Sequence, residues 1–413
     1  MNPLNPRRVL FLVENLPSPF DRRVWQEAGA LRDAGYAVSI ICPTGSGYER
    51  SFEVIDGIHI WRYDLPLEGA GALGYALEYA TALLWSFYLS LKVLLARGFD
   101  VIHACNPPDL LFLIGGFYKL FGKKFVFDHH DANPELYQAK FNRKDALWKV
   151  MVWLEKLTFR TADVSIATNE SYRRIATGRG GMAPEKVFVV RSGPSLERMK
   201  ILPPEERLKC GKKYLVGYVG VMGRQEGIDY LLRAAAHIVH DLGRGDVHFG
   251  LVGGGTSLAQ MRALAAELGI ERHVSFTGRV SDCEMLEMLN TAEVCVNPDV
   301  ANEMNDISTM NKVMEYMALG KPLVQFDLAE GRFSAQEASL YARRNNAPDL
   351  AEKIVHLLDH PEKRKAMGEF GRRRVLEELE WRHEAPKLLA AYEALRADAR
   401  AAAAGAARQR LPL

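Results

Sequence analysis

Cysteine is scarce in this chain, and the cysteines that occur are scattered. Five are present in 413 residues, and none stands in the CxxC spacing of a zinc site. They are Cys42, Cys105, Cys210, Cys283 and Cys295. The sequence therefore predicts reduced, mostly buried thiols and argues against a scaffold held together by disulfides or zinc.

A large net charge of either sign is also lacking. The 53 Lys and Arg residues against 51 Asp and Glu residues leave a formal charge of +2, so no overall field attracts nucleic acid. We expect no nucleic-acid partner, and any basic surface must be local. With 48% hydrophobic and 25% charged residues, the composition is typical of a soluble globular protein.

Long apolar runs are missing as well. Behind two arginines the N-terminus offers only "VLFLV", residues 9–13, which is too short for the core of a signal peptide. This run is better interpreted as a first strand. We therefore expect a cytoplasmic protein.

Two segments raise the question of a membrane contact. Residues 79–91 are uncharged, but Glu78 and Lys92 bound them well short of the roughly 20 apolar residues of a spanning helix. A buried core helix and an interfacial helix are both open interpretations. Residues 143–160 mix tryptophan with lysine and arginine, which suits a surface on anionic lipid or a half-buried helix with a solvated basic face. A peripheral contact with the cytoplasmic face of the inner membrane is thus a hypothesis.

The sequence does contain a regular alternation of strand and helix patterns. From Arg8 onward a strand, an amphipathic helix and a second strand form a βαβ pattern, which is typical of a parallel, doubly wound sheet. A polar segment, residues 193–213, interrupts the alternation before a second set of strands. The predicted fold class is α/β, with two Rossmann-like domains facing across a cleft. We place them at residues 1–195 and 196–375, followed by a helix at 376–395 that crosses back and a flexible tail at 396–413.

The first candidate site follows a strand of the first domain. Ligands of doubly wound sheets lie outside the carboxyl ends of the strands, and the strand in "FVFDHHDANPELY" leads straight into Asp128, His129 and His130. This density of titratable groups favours a functional role for His130, although a capping aspartate with solvated histidines explains the same pattern. We expect no metal site, because no further ligand cluster of convincing spacing occurs.

Three junctions after strands of the second domain carry weaker signals. In "GYVGVMGRQEGIDYLL", Gly220 and Gly223 allow close backbone approach, and Arg224 offers a charged contact to a phosphate near the helix N-terminus. The other two junctions contain Gly254 in "LVGGGTS", and Arg279 and Val280 in "FTGRVSDCEM". Tight packing or helix capping explains each of these patterns equally well.

The stretch from Asp306 to Glu315 is a stronger candidate. Asp306, Ser308 and Thr309 precede a predicted helix whose N-terminal amides, together with Lys312, can surround a phosphate. Glu315, one turn further, can accept hydrogen bonds from a sugar diol. The alternative is a solvated Glu315 paired with Lys312 on an amphipathic helix.

These stretches resemble the GT4 family of retaining glycosyltransferases with the GT-B fold, over nearly the whole chain. "EYMALGKPLV" is similar to the family's E-A-M-A-x-G-x-P-V segment, and "HVSFTGRVSDCEM" to its V-x-F-x-G-x-V-x-x-x-E segment. "FDRRVWQEAGALRDAGYAVSIICP" is similar to its first helix and second strand. The likeness points to bacterial members that assemble exopolysaccharide and O-antigen.

The resemblance implies an activity and roles for single residues. It implies transfer from a UDP- or GDP-sugar, bound mainly on the second domain, to a saccharide acceptor on the first, carried on a polyprenyl diphosphate. No metal or other cofactor is expected, in agreement with the absence of any D-x-D sequence. The matched residues are Glu315 for the ribose, Arg279 and Val280 beside the base, Gly220 and Gly223 in the phosphate-side loop, Ser308 and Thr309 at the diphosphate, and His130 near the donor hexose.

Two departures from the family pattern stand out. The first glutamate of its E-x7-E motif falls at Ile307, and neighbouring Asp306 is a candidate substitute in a shifted register. The arginine and lysine that neutralise the diphosphate fall at Val221 and Glu226. Arg224 and Lys312 are the candidates to compensate, and with His130 they are the expected catalytic residues.

Other functions stay open. A non-catalytic relative that acts as a binding or partner subunit would explain the departures together. A nucleotide-sugar epimerase shares the two-domain architecture. An NAD-dependent oxidoreductase is disfavoured, because no G-x-G-x-x-G follows the first strand.

Overall fold

The computed structural model describes residues 7–65 and 71–409 of the chain. It divides into two compact units. The first comprises the chain up to Ser192 together with the chain from Glu384 onward, and the second is Gly193–His383. The predicted boundary after residue 195 lies close to this division.

The first unit is built on an eight-stranded sheet in the order β3-β4-β2-β1-β5-β6-β7-β8. Its strand pairs are parallel except for β3 and β4, which pair antiparallel. The central strands are almost continuous runs of buried apolar residues, as expected for a parallel sheet covered on both faces. The strands are β1 (Arg8–Leu12), β2 (Ala37–Pro43), β3 (Phe52–Ile55), β4 (Ile58–Tyr63), β5 (Val101–Cys105), β6 (Lys124–His129), β7 (Val164–Ala167) and β8 (Val187–Val189).

Helices connect these strands, and polar caps explain where several of them begin. The side chains of Asp21, Asp145 and Asn169 accept hydrogen bonds from backbone N–H groups in the first turns of α1, α5 and α6. The helices are α1 (Arg22–Asp33), α2 (Gly71–Ala96), α3 (Phe112–Lys119), α4 (Asn133–Phe141), α5 (Ala146–Thr161) and α6 (Glu170–Thr177).

Helix α2 is longer than the uncharged stretch suggests. Its 20-residue portion Leu77–Ala96, with a mean hydropathy of 1.4, is long and apolar enough to cross a membrane by length and composition alone. One such helix is a weak sign of a membrane span. Only 28% of that portion is buried, however, so the interpretation as a buried core helix fits the structure poorly.

The second unit contains a six-stranded, all-parallel sheet in the order β11-β10-β9-β12-β13-β14. The chain steps from β9 to β11 in one direction and from β12 to β14 in the other. The topological switch point therefore lies between β9 and β12. The strands are β9 (Tyr214–Val219), β10 (Val247–Val252), β11 (Val274–Gly278), β12 (Val294–Asn297), β13 (Leu323–Phe326) and β14 (Ser339–Ala342).

Two apolar clusters cover this sheet. One includes Tyr218, Phe249 and Phe326, and the other includes Leu289 and Tyr316. The helices that supply the covering side chains are α7 (Ile228–Ala236), α8 (Leu258–Glu267), α9 (Asp282–Thr291), α11 (Asn311–Ala318), α12 (Ala329–Ala335), α13 (Ala347–Asp359) and α14 (Pro361–Arg374). A further short helix, α10 (Glu303–Ile307), precedes α11.

The last helix, α15 (Trp381–Gln409), returns the chain to the first unit. Leu388, Ala391, Tyr392 and Leu395 are buried at helical spacing and anchor it there. The helix continues to Gln409, whereas the sequence predicts a flexible tail from residue 396. Alanine is the strongest helix former, which accounts for the continuation.

Candidate functional site

The carboxyl ends of the second sheet gather most of the predicted donor residues. Gly220 follows β9, Gly254 lies after β10, and Arg279 follows β11. Because the strands are parallel, these ends share one edge of the sheet. The loops after β9 and β10 are joined by a hydrogen bond of 2.9 Å from the Met222 N–H to the Gly254 carbonyl.

The turn after β9 requires glycine. Gly220 has φ of +157°, and a Cβ there would lie 2.6 Å from the Tyr218 hydroxyl and 3.6 Å from Lys312 Cε. At Gly223 the backbone N–H donates to Glu226 Oε2 at 3.1 Å. Glu226, which stands where the resemblance expects a lysine, thus closes the turn, and burial raises its pKa.

Lys312 lies at the switch point between β9 and β12. Its Nζ is 2.8 Å from Asp299 Oδ1 and 5.1 Å from the centre of the Tyr218 ring. Burial acts to lower the pKa of Lys312, but the Asp299 carboxylate outweighs burial and raises the pKa above its usual value. Burial also raises the pKa of Asp299. The possible pair between Lys312 and Glu315 is not formed, because Lys312 turns toward the end of β12.

Glu315 forms an ion pair with Arg198 instead. Arg198 also reaches Asp282 at 3.4 Å. Sequence reasoning missed Arg198, which lies in the polar segment between the domains and is 117 residues from Glu315 along the chain. No local pattern marks it. The ion pair fixes the carboxylate that the resemblance assigns to ribose.

Asp306 is engaged away from the α11 N-terminus. Its Oδ1 accepts hydrogen bonds from the Ala329 N–H at 3.0 Å and from Arg344 at 2.8 Å. Asp306 therefore ties α10 to α12 and to the segment after β14. These contacts do not favour the expectation that it replaces the glutamate missing at Ile307.

Ser308 and Thr309 do precede the N-terminus of α11. The Ser308 hydroxyl donates to the Met304 carbonyl at 2.8 Å. The N-cap of α11 is Met310, which makes no side-chain capping hydrogen bond. Thr309 stands directly before this cap. An anion can therefore bind the first amides of α11 without displacing a side-chain cap.

Arg224 lies near α7 and α8. It is exposed and lines a cavity of about 440 Å³ along α7 and α8, together with Asp229, Arg233 and Ser257. Neither Lys312 nor Glu315 lines this cavity. This cavity does not bring Arg224 and Lys312 together, and their joint replacement of the missing cations stays a prediction.

The junction after β11 combines a cap with two predicted base-side residues. Ser281 forms a reciprocal capping box with Glu284 at the start of α9, which confirms the capping interpretation. Arg279 is exposed, and Val280 is half-buried against the core.

In the first unit a buried ion-pair network holds His130. Its Nε2 is 2.5 Å from Asp128 Oδ2, and its backbone N–H donates to Asn106 Oδ1 at 2.6 Å. Burial acts to lower the pKa of His130, but the Asp128 carboxylate raises it above the usual value. Arg23 and His130 outweigh burial at Asp128 and hold the pKa of that carboxyl well below its usual range. His130 is therefore suited to donate a hydrogen bond as imidazolium rather than to act as a base.

Four members of this network were missed from the sequence. Arg23 donates to Asp128 at 2.8 Å and pairs with Glu27 at 3.0 Å, and His103 lies between Glu27 and Asp128 and meets the Tyr392 hydroxyl at 2.8 Å. A signal existed for Arg23 and Glu27. They stand four residues apart on the buried stripe of α1, where charged side chains are rare unless paired.

The two neighbouring histidines have different environments. His129 is fully buried against Phe127, Phe159 and Tyr172, so it belongs to the core. Within the described ranges, two groups of side chains have metal-binding geometry, and both include Asp128: His103 with Cys105, and Glu27 with His130. Because the Arg23 guanidinium already binds Asp128, the ion-pair network accounts for these groups.

Glu14 is a buried acid that the sequence did not reveal. It follows β1 at the switch point of the first sheet, where β1 lies next to β5. The side chain is 3% exposed, and its Oε1 has no hydrogen-bond partner among the described residues. Burial, with a smaller contribution from Glu78, raises the pKa of Glu14 to about 7.

Protein-family models match residues of both units. A model described as "Glycosyl transferase 4-like domain" matches residues 21–193, and one described as "Glycosyl transferases group 1" matches residues 213–360. The chain belongs to the GT4-like glycosyltransferases.

Curated relatives of this GT4-like chain include transferases and a synthase. The 2-deoxystreptamine glucosyltransferase of Streptomyces kanamyceticus is 25% identical over 71% of this chain and 77% of the relative. The alpha-maltose-1-phosphate synthase of Mycolicibacterium smegmatis is 26% identical over 66% of this chain and 73% of the relative.

Solved structures show that the GT4-like chain has the GT-B fold. Sucrose-phosphate synthase from Thermosynechococcus elongatus aligns with a TM-score of 0.74 at 20% identity, over 95% of this chain and 100% of that chain. HepE of Anabaena, in complex with UDP-glucose, aligns with a TM-score of 0.70 at 15% identity, over 94% of this chain and 99% of that chain. The predicted fold class of two Rossmann-like domains is confirmed.

Proposed function

We propose that this glycosyltransferase moves a sugar from a UDP- or GDP-sugar to a saccharide acceptor with retention of anomeric configuration. The donor binds the second unit and the acceptor the first. Support for a nucleotide-sugar donor comes from HepE, whose structure contains UDP-glucose. Support for a saccharide acceptor comes from relatives named as glycosyltransferases.

The observation that carries the proposal is the switch point of the second sheet. There the uncapped N-terminus of α11, Lys312 and the glycine turn at Gly220 meet at the carboxyl ends of β9 and β12. Parallel sheets bind ligands at this position. Helix amides and a lysine are the groups that stabilise an anionic leaving group such as a diphosphate.

Every bond, proton and electron pair in the proposed reaction is accounted for. The bond from the sugar C1 to the donor phosphate oxygen breaks, and the acceptor oxygen bonds to C1 on the same face. The acceptor proton passes to the leaving diphosphate, which carries away the electron pair. Glu315, held by Arg198, accepts hydrogen bonds from the ribose. The family resemblance assigns His130 to the donor hexose. No metal is needed in this scheme, and no D-x-D sequence supplies ligands for one.

Thermal-shift measurements test the donor first. The purified protein is heated with UDP-, GDP- and dTDP-sugars and with the free nucleotides, each with and without EDTA. A ligand that binds only the folded state raises the melting temperature. We expect a shift with the UDP or GDP series that survives EDTA. A shift abolished by EDTA would contradict metal independence, and the anomeric configuration of the product by NMR tests retention.

A second candidate function is a non-catalytic GT-B subunit. Val221 is 61% exposed with no charge to offer, and Glu226 adds a carboxylate near Lys312, where the family resemblance expects cations. A protein of this kind would show no shift with any nucleotide sugar and no turnover. An epimerase would instead release an isomerised sugar in the absence of any acceptor.

The acceptor and location are proposed on the resemblance. We infer a sugar linked to polyprenyl diphosphate, used in cell-surface polysaccharide synthesis, and a cytoplasmic protein that works at the inner face of the membrane. Transfer to a lipid-extractable product, compared with transfer to the same free saccharide, tests this acceptor. Equal rates with both would contradict it.

A further inference from the structure

The exposed side of α2 is apolar, whereas its buried side mixes Leu89 and Val93 with small and polar residues. One exposed stripe at helical spacing consists of Leu77, Leu84, Tyr88, Leu91 and Leu95. Leu84 is 71% exposed and Leu95 is 88% exposed, while Ser86 and Ser90 are buried. The exposed side is unusual, because the outer side of a helix on a water-soluble domain is normally polar or charged.

The apolar surface continues onto the neighbouring helices. Phe87 of α2 contacts Phe117 of α3 with ring centres 5.2 Å apart, and Lys119 at the end of α3 donates to the Thr161 carbonyl of α5 at 2.6 Å. The connections that contain α2, α3 and α5 all step in one direction along the sheet, so right-handed crossovers put these helices on one face. The outer helical face is defined here as the exposed apolar residues Leu77, Leu84, Trp85, Tyr88, Leu91, Leu95, Leu113, Phe117, Leu120, Phe121, Leu147, Val150 and Trp153.

The charges around this face have one sign. Between Leu77 and Thr161, a stretch described throughout, every exposed charged residue is basic. The acidic residues nearby are buried or half-buried, and Glu78 is the half-buried one on α2 itself. The basic residues are Lys92, Arg97, Lys140, Arg143, Lys144, Lys149, Lys156 and Arg160.

We propose that the outer helical face rests on the surface of an anionic lipid bilayer. Leucine and aromatic side chains would enter the acyl boundary while the basic residues contact anionic headgroups. The helix lies on the bilayer and does not span it, because α2 connects two strands of one sheet and its Ser90 hydroxyl meets the Tyr118 hydroxyl at 2.9 Å. The inference does not depend on the transferase activity.

Flotation of the full-length protein with lipid vesicles tests the proposal. One vesicle population is pure phosphatidylcholine and the other contains equal parts of phosphatidylcholine and phosphatidylglycerol. We expect binding to the anionic vesicles that weakens about tenfold as salt rises from about 0.05 M to about 0.5 M. The triple variant Leu84→Ser/Leu95→Ser/Leu120→Ser should lose binding to both populations, and Lys149→Glu/Lys156→Glu should lose the anionic preference.

Matched variants on the second unit control for nonspecific effects. Ile201→Ser/Leu242→Ser removes exposed apolar side chains, and Arg343→Glu/Lys365→Glu reverses exposed charges, without touching the outer helical face. Both control variants should bind like the parent protein. Circular dichroism melting confirms that each variant is folded.

Tryptophan fluorescence identifies the contact surface. Brominated lipids should quench the tryptophan fluorescence of the parent protein. The variant Trp85→Phe/Trp153→Phe should lose most of this quenching while it still binds the vesicles. Absence of vesicle binding would overturn the proposal. A dimer that the triple serine variant dissociates would overturn it too, and would identify a second copy of the chain as the partner. Resistance of the bound protein to alkaline carbonate extraction would contradict the peripheral arrangement.

Discussion

At the scale of the residue, Glu14 makes stability depend on pH. Its pKa is raised from 4.5 to about 7, so between these values the folded state keeps a proton that the unfolded state has lost. Stability should therefore fall as pH rises through this window, by up to about 3 kcal/mol. Glu14→Gln carries no titrating group there, and the fall should be correspondingly smaller in urea unfolding across the window.

The control for Glu14 is an exposed acid elsewhere. Glu352→Gln, on the exposed side of α13, should leave the pH profile of the parent protein unchanged. Parallel profiles for Glu14→Gln and the parent protein would show that Glu14 titrates normally.

Asp128 sets the charge of His130. Asp128→Asn removes the carboxylate that raises the pKa of His130, so the pKa should fall and the ring should be largely neutral at neutral pH. The same variant leaves Arg23 buried with one partner fewer, at a cost of about 3 kcal/mol or more. NMR titration of the histidine rings measures the pKa, and urea unfolding measures the stability. An unchanged His130 titration in a folded variant would contradict the proposed coupling.

At the scale of the element, the pair of Lys312 and Asp299 joins α11 to the end of β12. Lys312→Met alone leaves Asp299 buried without its partner, which should cost about 3–5 kcal/mol. Lys312→Met/Asp299→Asn removes both charges, and most of the lost stability should return.

Activity measurements distinguish a catalytic role of Lys312 from a purely structural role. If Lys312 binds the diphosphate, kcat/KM of the double variant should stay at least about a hundredfold below the parent value. A double variant that regains both stability and kcat/KM would assign Lys312 a purely structural role.

Strands and helices were easier to predict from the sequence than side-chain contacts. The strand before "DHHDANPELY" and the helix after "ISTM" follow from apolar pattern and turn residues, and both are where the sequence places them. The partner of Glu315 was not predictable, since Arg198 lies 117 residues away and its approach depends on how the loops pack. The exposure of α2 also could not be predicted from the sequence, because its composition is compatible with a buried helix and with an interfacial helix.

At the scale of the whole molecule, the first unit is discontinuous in sequence. It includes the chain from Glu384 onward, although the sheet is complete by Val189. Tyr392 reaches the charge network through His103, so α15 connects the end of the chain to the same Asp128 that holds His130. The C-terminal helix is therefore part of the candidate site's support.

Truncation tests this dependence. A chain that ends at His383 loses Leu388, Ala391, Tyr392 and Leu395, all buried, and leaves His103 without its tyrosine partner. Each large apolar side chain removed from a core costs about 2–5 kcal/mol. Calorimetry should show a transition for the first unit that is lowered or lost, while the second unit, whose residues are all retained, still unfolds cooperatively. A chain that ends at Arg396 keeps the four anchors and should melt like the parent protein. Equal melting of both truncations would mean that the first unit folds without α15.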